Sequence, residues 1–308
     1  MSAAEPPPGG PVRVAVAPQA LEAIRAQAPS QAQLLAVHDG LDLTTIDFLV
    51  PPLADEYVLK RLPELERLAV VQVLSAGADW IEARVPAQAT LCSARGARDA
   101  PVTEWILGAL LGASTGLLEC ARERSWDRRH LTDLSRWTVV VVGMGSIGHL
   151  LGQRLHDLGT EVLGVGSHAH DGLHGVADLL RLLPRADAVV VLTPLTDSTR
   201  GLISAAELAA MKDGALLVNA GRGPVVDTRA LLAEVTTGRL KAVLDVTDPE
   251  PLPADHQLWR ARGVLAITPH IAGDSALGYA RAAQLAGEQL ARWCRGEELH
   301  NVVKPRVT

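Results

Sequence analysis

Arg222, Glu250 and His270 are the side chains whose types and settings could do chemistry together. Arg222 lies in Asn219-Ala220-Gly221-Arg222-Gly223, Glu250 in the run from Leu244-Asp245-Val246 to Glu250-Pro251-Leu252, and His270 in Thr268-Pro269-His270-Ile271-Ala272-Gly273. A guanidinium grips a carboxylate or a neighbouring keto oxygen in fixed geometry. An imidazole gives and takes a proton near neutral pH, and a carboxylate beside it favours the charged ring. Raising an imidazole pKa by one unit, about 1.4 kcal/mol, lifts its protonated fraction at pH 7 from roughly a quarter to roughly three quarters. Such a set suits reduction of a keto group next to a carboxylate, with the arginine holding the acid and the histidine protonating the oxygen. The structural alternatives are a loop-stabilising arginine, a capping or core histidine, a solvated glutamate before Pro251, and an Asp245 that only caps its turn.

A second constellation precedes these three. The apolar run Thr138–Val142 leads directly into Gly143-Met144-Gly145-Ser146-Ile147-Gly148 and then into the helical pattern HLLGQRLHDLG. In a strand–turn–helix setting the first glycine permits the tight turn, the second lets backbone approach a pyrophosphate, and the third lets helix pack on strand. The helix N-terminus offers N–H groups and positive dipole to the anion. The next strand, EVLGV, should carry an acid at its end to accept from a ribose 2′-hydroxyl, but the sequence reads Gly166-Ser167-His168-Ala169-His170. A carboxylate there would repel a 2′-phosphate, whereas a small Gly166, the Ser167 hydroxyl and the imidazoles of His168 and His170 could accommodate one. The expectation is NADP(H) slightly favoured over NAD(H), or weak discrimination, against the alternative of a solvated loop. No carboxylate or cysteine at ligand spacing accompanies His168, His170 and His174, so no metal site is expected.

The elements that must position these residues follow from rhythm. Apolar, β-branched runs recur at Val12–Ala17, Asp47–Val50, Leu68–Leu74, Thr138–Val142, Glu161–Val165, Ala188–Leu192, Ala215–Asn219 and Ala242–Asp245, with helical segments between them. Strands alternating with helices give parallel sheets, and runs apolar on both faces mark strands covered on both sides. Long helices are expected from about Pro101 to Arg124, linking two domains, and from Ser275 to Arg295. The fold class expected is α/β, with two Rossmann-like doubly wound parallel-sheet domains, the first discontinuous, and the active site in the cleft between them. Residues 1–93 plus 275–308 would form the substrate domain, with 1–11 disordered, and 94–274 the dinucleotide-binding domain.

The 308 residues allow two cores of ordinary size. With 48% hydrophobic and 21% charged residues and a net charge of −6, the chain has a globular composition and no basic footprint for nucleic acid. No signal-peptide pattern and no uninterrupted membrane-length apolar run occur, so a cytoplasmic protein acting on a small molecule is expected. Cys92, Cys120 and Cys294 are odd in number and widely spaced, which suggests neither disulfides nor a metal site.

Together VVGMGSIG, TPLTDSTRGLI, LLVNAGRGPVVD, LDVTDPEPLP and TPHIAG closely resemble the D-isomer-specific 2-hydroxyacid dehydrogenases, a family that includes glyoxylate/hydroxypyruvate reductases and phosphoglycerate dehydrogenases. The resemblance covers nearly the whole chain, most strongly residues 70–275. It implies hydride transfer between NAD(P)H and a small 2-keto or 2-hydroxy acid, with Arg222, Glu250 and His270 catalytic. It further implies that Asp245 meets the nicotinamide carboxamide, that Thr193, Pro194, Thr199, Ala220, Gly221 and Gly273 line the cofactor, and that Ser75, Ala76 and Gly77, with Arg222, hold the substrate carboxylate. A homodimer through the cofactor domain is also implied. Gly166 resembles NADP-using members, and Glu250 in place of glutamine is unlike formate dehydrogenases. The alternatives are a cofactor-sensing binding protein of the same fold and a member with another substrate, such as phosphite. A side-chain pocket is expected around His38, Phe48, Val50–Leu53, Ser75–Trp80 and Trp259. Trp80 would either narrow it toward small acids or pack beneath the loop.

Overall fold

The computed structural model describes residues 10–123, 126, 128 and 131–306, so most of the expected disordered tail, residues 1–9, lies outside the described residues. Thirteen strands are assigned among them: β1 (Val12–Val16), β2 (Ala32–Ala36), β3 (Phe48–Val50), β4 (Val70–Gln72), β5 (Thr90–Cys92), β6 (Thr138–Val142), β7 (Glu161–Gly166), β8 (His174–Gly175), β9 (Ala188–Val191), β10 (Leu216–Asn219), β11 (Lys241–Leu244), β12 (Val264–Ile267) and β13 (Val302–Lys304). The chain divides into two compact units, residues 1–98 with 275–308 and residues 99–274. The first crossing thus falls at Arg98/Asp99, where a long helix begins, rather than at 93/94.

The first unit holds a six-stranded sheet in the order β13-β5-β4-β3-β1-β2, parallel except for the antiparallel edge β13, where Val302 pairs with Cys92. Alternate residues feed two cores. Val14, Val16, Phe48, Val50 and Val70 enter one, whereas Ala15, Leu49, Val71 and Leu91 enter the other. The helix Ala276–Cys294, capped by the Ser275 hydroxyl on Gly278 N–H at 2.9 Å, belongs to this unit and buries Trp293 against Phe48 with ring centroids 5.8 Å apart.

The second unit holds a parallel seven-stranded sheet in the order β12-β11-β10-β9-β6-β7-β8. Val140, Val142, Val189 and Val191 face one core, and Val139, Val141, Ala188 and Val190 face the other. This is why TVVVV and AVVV lack alternation: both faces are dry. The strand order reverses direction between β6 and β9, so the ends of β6, β7, β9, β10, β11 and β12 share the edge where doubly wound sheets bind ligands.

The helix expected over Pro101–Arg124 is two helices, Asp99–Ser114 and Leu117–Glu123, bent by 72° at a break where Gly116 adopts φ +68°. Glycine tolerates that conformation and the helical pattern on either side masks the break in sequence. No single described helix is long and apolar enough to cross a membrane; only this bent pair passes that test jointly.

Candidate active site

The turn after β6 gives each glycine a separate reason. Gly143 has φ +110°, and a Cβ there would lie 2.8 Å from the Leu192 carbonyl carbon and the Thr193 nitrogen. A Cβ on Gly148 would run into the Gly143 carbonyl oxygen, so helix Ser146–Asp157 could not start this close to its strand. Gly145 differs: a Cβ there would point into open space, and no side chain caps the helix at this residue. Gly145 and Ser146 are exposed, while Ile147 packs on the core beneath and fixes the first turn. Uncapped N–H groups at a solvent-facing helix start can take an anionic group.

Beside this turn, at the end of β9, the Thr193 hydroxyl is buried with no hydrogen-bond partner, the kind of orphaned polar atom that a bound ligand satisfies. Pro194 follows on the surface, and its carbonyl accepts from the Thr199 hydroxyl at 2.6 Å. That hydroxyl also accepts from Thr196 N–H at 2.8 Å, so Thr199 shapes its own loop. The residues fit a dinucleotide: a glycine turn with open space before the helix, and an orphaned hydroxyl on the adjacent strand.

At the end of β7, Gly166 is followed by the exposed Ser167, His168, Ala169 and His170. The chain then reverses through a tight turn, with His170 and Leu173 exchanging both backbone hydrogen bonds across Asp171 (φ +47°) and Gly172 (φ +83°). Positive φ at both central residues suits the turn that joins twisted antiparallel segments. His170 Nδ1 lies 3.6 Å from Asp171 Oδ2, and His168 Nδ1 lies 3.2 Å from the Ser167 hydroxyl. The sequence reading missed this carboxylate, because Asp171 lies beyond the position where an acid is expected. Among the described residues, no group of three or more His, Cys, Asp or Glu is arranged to hold a metal ion.

Asp245, 3% exposed just after β11, organises the segment that carries the histidine. Its Oδ1 accepts from the Thr268 hydroxyl at 2.6 Å and Ile271 N–H at 2.8 Å, its Oδ2 accepts from Ala272 N–H at 2.9 Å, and its carbonyl accepts from His270 N–H at 2.8 Å. The loop before Gly273 is thereby pinned with His270 at φ +56°, a conformation rare outside glycine that persists only where surroundings enforce it. His270 Nδ1 meets Glu250 Oε1 at 2.7 Å, with both side chains partly exposed at 48% and 41%. With Nδ1 engaged, Nε2 is the nitrogen that can address a reacting oxygen. The pair lines a recess of about 230 Å³ together with Leu252, Ile267 and Trp259, whose indole donates to the Pro253 carbonyl at 2.9 Å.

Arg222 follows β10 in a turn built by Asn219, a residue 1% exposed. Asn219 Oδ1 accepts from Gly221 N–H at 3.1 Å and its Nδ2 donates to the Arg222 carbonyl at 3.1 Å, while Ala220 packs on the core. A Cβ on Gly221 would lie 2.9 Å from the Thr193 carbonyl, and one on Gly223 would strike the Thr247 carbonyl, so the arginine turn nests between the ends of β9 and β11. Arg222 Nη1 donates to the Gly221 carbonyl at 2.8 Å. Asn219 and Thr268 are the supporting residues that motif reading did not single out; a polar residue ending an apolar run was the available signal.

In the first unit the Ser75 hydroxyl donates to the Gly77 carbonyl at 2.6 Å and accepts from Trp80 Nε1 at 3.2 Å, which ties Ser75, Ala76 and Gly77 into a compact loop. Trp80 packs on the core below, as the packing alternative had it. Two residues expected in a side-chain pocket are instead core: Phe48 and Val50 are fully buried, because β3 is covered on both faces. His38 is exposed, and Leu53 stands 71% exposed after Pro51-Pro52. Burial pushes the Cys92 thiol up to about 12, against a smaller opposing effect of a hydrogen bond with Gln289, so Cys92 does not serve as a nucleophile.

Comparison with known proteins adds three kinds of match. The profile of the family described as "D-isomer specific 2-hydroxyacid dehydrogenase, NAD binding domain" matches residues 108–272, over half of the chain. Glyoxylate/hydroxypyruvate reductase B of Citrobacter koseri is 38% identical over 183 residues, 57% of this chain and 56% of its own length, so the chain spans about half of that relative. Among solved structures, a D-isomer specific 2-hydroxyacid dehydrogenase from Xanthobacter autotrophicus Py2, in complex with NADPH and MES, superimposes with a TM-score of 0.82 at 28% identity, covering 97% of this chain and 99% of that one. An NADPH-dependent glyoxylate/hydroxypyruvate reductase from Sinorhizobium meliloti, in complex with NADP and sulfate, gives 0.81 at 26% identity, covering 95% and 98%.

Proposed function

Because the chain belongs to the D-isomer specific 2-hydroxyacid dehydrogenase family, we propose that it reduces small 2-keto acids of the glyoxylate or hydroxypyruvate kind with NAD(P)H, NADP(H) being slightly favoured. The observation that carries this reading is the 2.7 Å contact of His270 Nδ1 with Glu250 Oε1 on a loop held by Asp245. When bound, the nicotinamide supplies the hydride. Arg222 holds the substrate carboxylate or the adjacent keto oxygen, and in the first unit Ser75, Ala76 and Gly77 are the proposed source of backbone N–H groups for a carboxylate. His270 Nε2 delivers the proton to the carbonyl oxygen, and Glu250 supports the charged ring and fixes its orientation.

Asp245 contributes here through the loop rather than as a nicotinamide contact alone, since both its carboxylate oxygens already accept from residues 268–272. The residues proposed to hold the cofactor are Gly143, Gly145, Ser146, Ile147 and Gly148 at the pyrophosphate, Gly166, Ser167 and His168 near the adenosine ribose, and Thr193, Pro194, Thr199, Ala220, Gly221, Asp245 and Gly273 toward the nicotinamide. The choice of glyoxylate and hydroxypyruvate is supported by the relatives that carry those names. A homodimer through the second unit and a cytoplasmic location complete the reading.

The test is the initial rate of reduced-nicotinamide oxidation, followed by absorbance, with NADPH and NADH against glyoxylate, hydroxypyruvate, pyruvate and phenylpyruvate. Turnover of the two small acids with NADPH at least as good as NADH is expected. Failure with all four acids overturns the proposed activity, and rapid phenylpyruvate turnover with poor glyoxylate turnover overturns the proposed substrate size.

A further inference from the structure

At Gly166 the structure places an imidazole where the side chain of an acid would project. A Cβ on that glycine would point to within 3.9 Å of His170 Nε2 and 3.4 Å of the His168 carbonyl. His170 is held there by the two-bond turn with Leu173, and its Nδ1 faces Asp171 Oδ2 at 3.6 Å. With Nδ1 turned toward a carboxylate, the neutral ring keeps its proton on Nδ1, and Nε2, which faces the end of β7, becomes an N–H donor only when the ring is charged. The other titratable groups of this corner are His168, whose Nδ1 faces the Ser167 hydroxyl, and His174 on β8. Asp178 is also present, held below the usual carboxylate range first by its bond with Arg181, then by Gly175 N–H and, less, by His174. Asp178 is thus already committed to a cation and a backbone donor, and Asp171 is the acid that faces His170.

We propose that His170 Nε2 reads the 2′ position of the adenosine ribose, so that this chain's preference between NADPH and NADH depends on pH. The inference rests on the proposed use of a nicotinamide dinucleotide and deepens it. A 2′-phosphate is a dianion above about pH 6. It gains a charge-assisted hydrogen bond from an imidazolium and loses most of that gain when the ring becomes neutral. Histidine makes that change between about pH 5 and 8. A 2′-hydroxyl carries no charge and is indifferent to it. Preference for NADPH is therefore greatest near pH 6.5 and declines as pH rises, while NADH affinity stays level. This differs from an arginine at such a site, which would stay charged throughout.

The experiment is direct binding of NADPH and of NADH to the purified protein, read by nicotinamide fluorescence from about pH 6 to 8.5, which needs no substrate and no turnover. The expected result is a ratio Kd(NADH)/Kd(NADPH) that falls about tenfold across that range, the size of one charge-assisted hydrogen bond at a partly exposed position. His170→Ala lowers the ratio at pH 6.5 to its high-pH value. His170→Gln, which keeps a neutral donor, gives a ratio that no longer varies with pH. Gly166→Asp meets only ordinary contacts at its Cβ, so it should fold, and it turns the preference toward NADH. A flat wild-type ratio, or an unchanged ratio in His170→Ala, overturns this inference while leaving the dehydrogenase reading intact. Failure to bind either cofactor at any pH overturns both.

Discussion

In the first unit β1 is flanked by β2 and β3, and in the second β6 is flanked by β7 and β9, so each sheet has a point where successive connections leave in opposite directions. Doubly wound sheets bind ligands at that point, yet the two turns there are unlike. After β6 come three glycines and a twelve-residue helix whose start is uncapped and exposed. After β1 come Ala17 and Pro18, a short 3₁₀ turn and a helix of only five residues, Leu21–Arg25. Pro18 lacks an N–H, and Ala17 N–H is spent on the Val50 carbonyl at 2.7 Å. The same topology therefore offers an anion a nest of donors in one unit and almost none in the other. Strand order creates the location; glycine and free N–H groups create the site.

The largest effect that would sharpen this contrast lies in the second unit's chemistry. Replacing His270 with Ala should lower kcat roughly a hundred- to ten-thousand-fold, with NADPH affinity by fluorescence nearly unchanged. Near-normal turnover in that variant would remove the histidine from the mechanism. Gly148→Ala should cost about 1–3 kcal/mol of stability in denaturant titration, because its Cβ meets the Gly143 carbonyl and the helix must move off its strand. An unperturbed midpoint would show that the close approach is dispensable. Gly145→Ala separates stability from binding: its Cβ meets nothing, so the unfolding midpoint should hold while Kd for either dinucleotide rises about tenfold. In the first unit, Pro18→Gly should leave dinucleotide affinity as it was, and a clear change in Kd would break the comparison.

The smallest effect concerns thiols. Cys120 is exposed and Cys92 is buried with its thiol pushed up to about 12, so at pH 8 a thiol reagent should label Cys120 fast and Cys92 only as the protein unfolds. Cys294, half-buried and also shifted upward by burial, should react between the two. Peptide mapping after timed labelling orders the three, and early labelling of Cys92 would contradict the dry environment assigned to β5.

The sequence alone determined what is local. Apolar β-branched runs long enough to be covered on both faces marked eight strands to within a residue or two, because a buried strand needs no partner-specific residue to be apolar. The glycine turn was legible because the backbone itself demands glycine at Gly143 and Gly148. The Arg222, Glu250 and His270 motifs were legible because few residue types do that chemistry. Tertiary structure decided what depends on residues far apart. The strands β2, β5, β8, β12 and β13 escaped notice because their identity comes from pairing, as when Val302 meets Cys92 across most of the chain. Phe48 and Val50 looked like pocket residues until packing against the C-terminal helix made them core. Asp245 is identified as the anchor of the histidine loop by three donors more than twenty residues away, and His170 as the occupant of the space beside Gly166 by a turn that folds the chain back. Periodicity and backbone need are written in neighbouring residues; hydrogen-bond partners and burial are settled only when distant segments meet.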